Sequence, residues 1–449
     1  MDPRHTTWAS SDRWVPKTFV RPFVRFSRIE ASSGIVLLVA AVAALIWANS
    51  AFGDGYFGLL NQEVRIEFLG FRLEETLHAF INDGLMAIFF FVVGLEIKRE
   101  LVLGDLRDPK AAALPVMAAL GGMIVPALIY LAFNAPTGGE AVRGWGIPMA
   151  TDIAFAVGVV ALLSSKVPSG AKLFILAVAI ADDIGAIAVI ALFYTDELNA
   201  SFLGAAVGGL VIVWIASKVN IRAMWFYVAA ALVIWYFTLE SGVHATLAGV
   251  ALGFITPAHP YYSAEEFDKR ARAILDQYTV NGDERRAQER ADHEALLLAE
   301  IASESVAPLN RMEHRLAAWS SFVVVPIFAL ANAGVDFRGV YIVGALTSRV
   351  ALGVGLGLVV GKLVGISAFT YIAVRLGLGR LPQGTGWSQV IGLAAVAGIG
   401  FTVSLFVAEL AFTDPGITDL AKVGIFSGSL VAGLLGAFLL ARSRPPTQL

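Results

Sequence analysis

The chain has no cysteine, which excludes disulfide stapling, thiolate metal binding and thiol redox chemistry. Charge is also scarce. Asp, Glu, Lys and Arg together make up 15% of the residues, whereas a soluble domain carries about 25%. The net charge of −3 leaves no basic excess, so a nucleic-acid-binding domain is excluded, and the low polarity excludes a disordered chain. Apolar side chains, by contrast, are in surplus: 57% of the residues are hydrophobic and the mean hydropathy is +0.72. A soluble core has no room for that surplus. The 44 glycines point the same way, because small residues let membrane helices approach closely. The composition is that of an all-α polytopic membrane protein.

Apolar runs of about 20 residues can cross a bilayer core of roughly 30 Å as helices. Twelve are legible: Gly34–Ala51, Leu77–Leu95, Ala111–Phe133, Trp145–Leu163, Ala171–Tyr194, Phe202–Ser217, Ala223–Leu239, Val243–Thr256, Ala317–Ala333, Val350–Val374, Trp387–Phe412 and Leu420–Ala441. Residues 34–441 therefore read as one membrane domain between an N-terminal tail, 1–33, and a C-terminal tail, 442–449. No cleavable signal peptide is visible, since the first thirty residues are basic and aromatic.

Lysine and arginine set the expected orientation. The N-terminal tail carries Arg13, Lys17, Arg21, Arg25 and Arg28, and connections of the same parity carry Lys98, Arg99, Arg107, Lys110, Lys166, Lys218, Arg375 and Arg380. The opposite connections hold fewer (Arg65, Arg72, Arg143 and Arg338). Both termini are expected in the cytoplasm. Glu63–Leu73, V-R-I-E-F-L-G-F-R-L with its alternating apolar and charged residues, predicts a short external β-hairpin. Residues 258–315 form a long charged cytoplasmic insertion, partly helical.

Ionisable groups inside apolar spans are the strongest functional signal. Each costs about 2.5–3.5 kcal/mol at the centre of a membrane helix. Asp182 and Asp183 fall in the middle of A-I-A-D-D-I-G-A-I-A, Asp152 in M-A-T-D-I-A-F-A, and Lys362 in V-V-G-K-L-V-G. Adjacent residues lie about 100° apart on a helix, so one aspartate can face a cavity while its neighbour faces another helix. Two close carboxylates cannot both ionise cheaply in a low dielectric, and a bound cation favours their ionised forms. Carboxylates, the Thr151 hydroxyl, carbonyls and water suit a hard cation. Proton and cation then compete for one site, which with alternating access makes an exchanger. Lys362 serves as the internal counter-charge. Pro148 in the fourth span and Gly398-Ile399-Gly400 in the eleventh interrupt helix at matching depth. Non-helical backbone is tolerated there only when buried in protein or lining a cavity, and such a pair points to an inverted-repeat transporter with a midplane site.

Several stretches resemble one known family: F-I-N-D-G-L-M-A-I-F-F-F-V-V-G-L-E-I-K-R-E-L, G-G-M-I-V-P-A-L-I-Y-L-A-F-N, A-T-D-I-A-F-A-V-G-V-V-A-L-L, A-D-D-I-G-A-I-A-V-I-A-L-F-Y-T, S-G-V-H-A-T-L-A-G, P-I-F-A-L-A-N-A-G-V, G-K-L-V-G-I-S and G-I-G-F-T-V-S-L-F. They occur in order over residues 75–440, and the chain resembles the NhaA-type bacterial Na⁺/H⁺ antiporters. The resemblance implies twelve helices with discontinuous fourth and eleventh spans. It implies Asp183 as main cation and proton ligand, Asp182 beside it, and Lys362 paired with Asp182 in the proton-loaded state. Thr151 and Asp152 match the extended stretch of the fourth helix, where the aspartate compensates helix-end dipoles, and the resemblance counts both with the cation- and proton-binding residues. Glu96, Lys98, Arg99, Glu100, His244, Glu313 and His314 match a pH-sensing cytoplasmic funnel. A homodimer through the hairpin and a place in the bacterial cytoplasmic membrane are implied as well, with Na⁺, Li⁺ and H⁺ as cargo and no cofactor or enzymatic role. In this chain Ala317 stands where many members have a second funnel histidine. Rival readings are an antiporter of another monovalent cation such as K⁺, a passive cation channel, and an intramembrane aspartic protease. The channel lacks a polar ring, and the protease lacks its G-x-G-D motif, because Gly400 is followed by Phe401.

Overall fold

The computed structural model describes residues 32–68, 71–164, 166–195, 198–219, 221, 224–277, 284–338 and 342–443. The basic N-terminal tail and Arg444 lie outside them. Helices dominate, as a chain of apolar runs requires when no water is available to satisfy backbone groups. In chain order they are α1 (Ser32–Ala48), α2 (Gly53–Leu60), α3 (Leu77–Val102), α4 (Pro109–Asn134), α5 (Ile153–Leu162), α6 (Ser169–Phe193), α7 (Ala200–Lys218), α8 (Met224–Glu240), α9 (Thr246–Ile255), α10 (Ala264–Gln277), α11 (Glu284–Glu304), α12 (Pro308–Asn332), α13 (Ile342–Leu346), α14 (Arg349–Arg375), α15 (Trp387–Val396), α16 (Phe401–Ala411) and α17 (Pro415–Arg442).

Among the described residues, eight helical stretches are long and apolar enough to cross a bilayer. They become ten if α1 with α2, bent by 113°, and α15 with α16, bent by 47°, each count as one span. The remaining apolar runs of the sequence are the short helices α8 and α9. With ten residues, α9 reaches about 15 Å, half the hydrocarbon thickness. Hydropathy counts apolar residues without knowing where the backbone leaves the helix, which is why twelve runs give fewer full-length helices.

The hairpin is present: β1 (Glu63–Phe68) pairs antiparallel with β2 (Phe71–Thr76), Ile66 opposite Leu73. Its second strand runs three residues past the expected end and leads into α3, where Thr76 caps the first turn by accepting from Ala79 N. The insertion folds as two helices, α10 and α11. A further difference lies at its end. Residues expected in the loop up to Arg315 are helical, and α12 starts at Pro308. Arg311 donates to Ser303 and Arg99 to Glu313, so partnered polar side chains carry the helix beyond its apolar stretch. The hairpin and the insertion mark opposite faces of the molecule, since α3 starts at the hairpin and its far end meets residues beside the insertion.

The core is built on small-residue contacts. The tightest helix pairs are α4 with α14 and α3 with α9. Gly121 and Gly365 face each other so closely that a methyl group on either would strike the other's carbonyl, and this contact sets the height of Lys362, one turn before Gly365.

Candidate ion-binding site

Two interruptions of helix meet in the interior. The chain from Glu140 to Met149 forms a 3₁₀ helix, Ala150 and Asp152 are extended, and α5 begins at Ile153. Opposite this break, α15 ends at Val396 and α16 starts at Phe401, with Gly398 and Gly400 between them. Glycine is required at both. A side chain at Gly398 would collide with the Leu358 carbonyl, and one at Gly400 would approach the Ala150 carbonyl at 2.8 Å. The two breaks bond to each other, Asp152 N donating to Ile399 O at 2.6 Å.

Asp152 holds the crossing together. Its Oδ1 accepts from Phe155 N at 3.2 Å, capping α5, and its Oδ2 accepts from Thr402 N at 3.0 Å and Thr402 Oγ1 at 2.6 Å, capping α16. A carboxylate at the N-termini of two helices is stabilised by both helix dipoles and by otherwise unpaired N–H groups. Ser404 Oγ adds a bond to Ile147 O at 2.7 Å.

Beside the crossing, α6 and α14 bring Asp182 and Lys362 together. Lys362 Nζ lies 2.5 Å from Asp182 Oδ2 and donates to Met149 O, the carbonyl at the end of the 3₁₀ stretch. Both side chains are inaccessible, at 0% and 1%. Thr151 Oγ1 stands 2.8 Å from Asp182 Oδ2 and 2.9 Å from Ala397 O. One hydroxyl proton thus faces two acceptors. Asp182 Oδ1 is buried and has no hydrogen-bond partner among the described residues. Asp183, 8% exposed, makes no hydrogen bond or ion pair among the described residues, and Asp182, Glu96, Lys362 and Asp152 are all within electrostatic reach of it. The pocket therefore has spare acceptor capacity, on Asp182 Oδ1, Asp183, Thr151 and Ala397 O, and a single cation. That deficit of positive charge and of protons is what a proton or a hard cation can fill. No group of three His, Cys, Asp or Glu able to hold a metal occurs among the described residues.

The residues matched to a funnel divide into two sets. At the insertion face, Arg99 pairs with Glu313 and, at 3.3 Å, with Glu100. Lys98 Nζ donates to the carbonyls of Phe254 at 2.7 Å and Thr256 at 2.5 Å, capping the C-terminal end of α9. Arg99, Glu313, His314 and Ala317 share an open cleft of ≈ 610 Å³, and Glu96 is within electrostatic reach both of Arg99 and Glu313 and of Asp183. His244 is not in that group. It precedes α9, and its Nε2 lies 2.6 Å from Tyr194 O beyond the end of α6, about 15 Å along the helix from the Lys98 cap. The structure thus sets His244 apart from the other residues matched to the funnel, through the direction of α9, which a local motif does not reveal.

Four contributors escaped the sequence reading: Thr402, Ser404 and the carbonyls of Met149 and Ala397. Thr402 was discoverable, as a hydroxyl residue at a helix start just past a glycine break is a capping signal. Carbonyls carry no side-chain signal.

An apolar helical bundle with buried, incompletely paired charges at the crossing of two interrupted helices defines a secondary ion transporter. The Na⁺/H⁺ antiporter 1 family matches residues 24–440. The chain is 45% identical over 434 residues to a Na⁺/H⁺ antiporter NhaA of Syntrophobacter fumaroxidans, covering 94% of this chain and 92% of that one. It is 47% identical over 423 residues to a Na⁺/H⁺ antiporter NhaA of Anaeromyxobacter sp., covering 94% and 91%. It is 43% identical over 438 residues to that of Koribacter versatilis, covering 96% and 95%. The chain belongs to the Na⁺/H⁺ antiporter family; it is a transporter and not an enzyme.

Proposed function

We propose that this protein exchanges cytoplasmic Na⁺ or Li⁺ for external protons at Asp183 and Asp182. The observation that carries the reading is the Asp182–Lys362 pair, buried at the helix crossing beside an unbonded Asp183. In the proton-loaded state Asp183 carries a proton and Lys362 its own, the ammonium neutralising Asp182. A cation entering past Glu96 displaces these protons and takes carboxylate oxygens, the Thr151 hydroxyl and a carbonyl as ligands. Asp152 positions the crossing, since its three accepted hydrogen bonds occupy both its oxygens. Loss of two protons per monovalent cation moves one net charge per cycle, to which the membrane potential contributes about 2.3 kcal/mol per 100 mV.

In this reading all twelve apolar segments are passes of an inverted-repeat bundle. The breaks beside Asp152 and Ile399 are its moving parts, both termini lie in the cytoplasm, and the bilayer is the bacterial cytoplasmic membrane. The Arg99–Glu313–His314 cleft regulates exchange with pH, and the hairpin joins two copies into a dimer. Neither K⁺ exchange nor proteolysis is favoured by any contact at the site.

The test is collapse of a pH gradient in acid-inside everted vesicles on adding Na⁺, Li⁺ or K⁺. Na⁺ and Li⁺ collapse it with the wild type, and Asp183→Asn abolishes the response while leaving folded protein in the membrane. Full antiport by Asp183→Asn would refute the site.

A further inference from the structure

Thr402, Phe406 and Glu409 stand at i, i+4 and i+7 on α16. They share one helix face and climb about 10 Å from the ion site toward the hairpin face. Three layers lie along that stripe. The innermost is Thr402, bonded to Asp152. The middle layer is aromatic: Phe406, fully buried, meets Phe90 of α3 with ring centroids 5.3 Å apart and Phe328 of α12 at 6.3 Å. Phe90 and Phe328 are themselves 4% and 0% exposed.

The outermost layer is polar. Glu409 Oε1 lies 2.8 Å from Lys422 Nζ of α17. Asn332, one turn beyond Phe328, exchanges hydrogen bonds with Asn82 at 2.7 and 3.3 Å, and its Oδ1 lies 2.9 Å from His78 Nε2. Lys422, His78, Tyr56 and Asp419 are the charged and titratable groups facing Glu409 from α17, α3 and α2. Each of the three helices α3, α12 and α16 thus carries an aromatic ring toward the site and a polar group on its outer side. A merely packed interface would use apolar residues at both levels, since burying a carboxylate and an ammonium costs several kcal/mol per ion. On the other side of the site, Glu96 already reaches Asp183 electrostatically. In this conformation the aromatic layer closes the site toward the hairpin.

We infer that Glu409 is a further ion-path residue of the exchanger: its carboxylate receives the departing cation and hands in the returning proton on the outer side of a seal made by Phe90, Phe328 and Phe406. Lys422 holds Glu409 as Lys362 holds Asp182, an ammonium that the arriving cation displaces. The inference rests on the antiport reading above.

The experiment measures initial radiosodium uptake by the full-length protein in right-side-out vesicles, which present the outer face, and in everted vesicles. Glu409→Gln is expected to raise the apparent KM for Na⁺ about tenfold at the outer face, or about 1.4 kcal/mol, and to change it less than about twofold at the inner face. The double variant Glu409→Gln with Lys422→Gln keeps the outer defect. Glu409→Asp, which keeps the charge, restores most of the outer affinity. Phe406→Leu, conservative in shape, is expected to admit a Na⁺-independent proton leak. An unchanged outer KM, an equal rise at both faces, or full recovery in the double variant would overturn the role of Glu409, and a tight Phe406→Leu would overturn the seal. Absence of Na⁺-dependent exchange in the wild type from either face would overturn the antiport reading itself, and the inference with it.

Discussion

Replacing Lys362 by Met gives the sharpest quantitative test of the site. The ammonium is wholly buried, 2.5 Å from Asp182 Oδ2, and it also donates to Met149 O. Methionine matches its length but leaves an uncompensated buried carboxylate, a change that costs about 3–5 kcal/mol. The Met149 carbonyl loses a charged donor, adding about 1 kcal/mol. A destabilisation of about 4–6 kcal/mol follows at neutral pH. Combining Lys362→Met with Asp182→Asn removes both charges, and Asn still accepts from Thr151, so most of the loss should return, with a coupling of about 2–4 kcal/mol. The penalty in the single variant should shrink on acidification, because a proton can neutralise the orphaned carboxylate, and saturating Na⁺ should stabilise that variant more than the wild type. Unfolding of the purified protein in mixed detergent, followed by the fluorescence of its nine tryptophans, reads all four quantities. Single variants that each cost less than about 1 kcal/mol and add to within about 0.5 kcal/mol would refute the idea that this pair is isolated from compensation.

Three further outcomes follow from other contacts. Gly365→Ala places a methyl group against the Gly121 carbonyl; it should separate α4 from α14, cost about 1–3 kcal/mol and lower the apparent Na⁺ affinity by displacing Lys362, as read by fluorescence unfolding and everted-vesicle titration. Asp152→Ala strips acceptors from two buried donors and one part-buried one and should cost about 3–5 kcal/mol, whereas Asp152→Asn, which keeps an acceptor oxygen, should cost less than half as much; equal unfolding curves for the two would contradict the capping role. Asp336, outside the spans, is held below the ordinary carboxylate range because Arg338 donates to it. Its contribution to the loop is therefore present above the ordinary aspartate value and lost as pH falls through the lower folded one, so proteolytic sensitivity around residues 50–60 and 333–338 should rise only in strong acid, and Arg338→Ala should move that rise to higher pH.

The function class was legible because the bilayer makes the costly charges conspicuous. An apolar helix has no reason to carry Asp182, Asp183 or Lys362, so each stands out against its neighbours without any alignment. The hairpin announced itself by alternation, and the helix breaks by Pro148, Gly398 and Gly400. Less legible were boundaries set by pairing: α12 extends back to Pro308, where Arg311 bonds to Ser303 of α11 and Glu313 to the distant Arg99, whereas hydropathy alone starts the span at its first apolar residue.

What the sequence determined by itself is the class of environment, the approximate course of the chain through it and the identity of the costly charges, since these depend on composition and local period. Which charge meets which was decided only by tertiary structure. Asp152 accepts from the first turns of two helices that the sequence alone does not bring together, while His244 stands at the far end of α9 from the charges it was grouped with. Thr402, Phe406 and Glu409 gain meaning only when Asp152, Phe90, Phe328 and Lys422 arrive from other helices. The physical reason is the same in each case: a buried charge or an unpaired backbone group is stabilised by whichever partner packing brings within about 3 Å, and that partner comes from another element whose arrival the local periodicities do not encode.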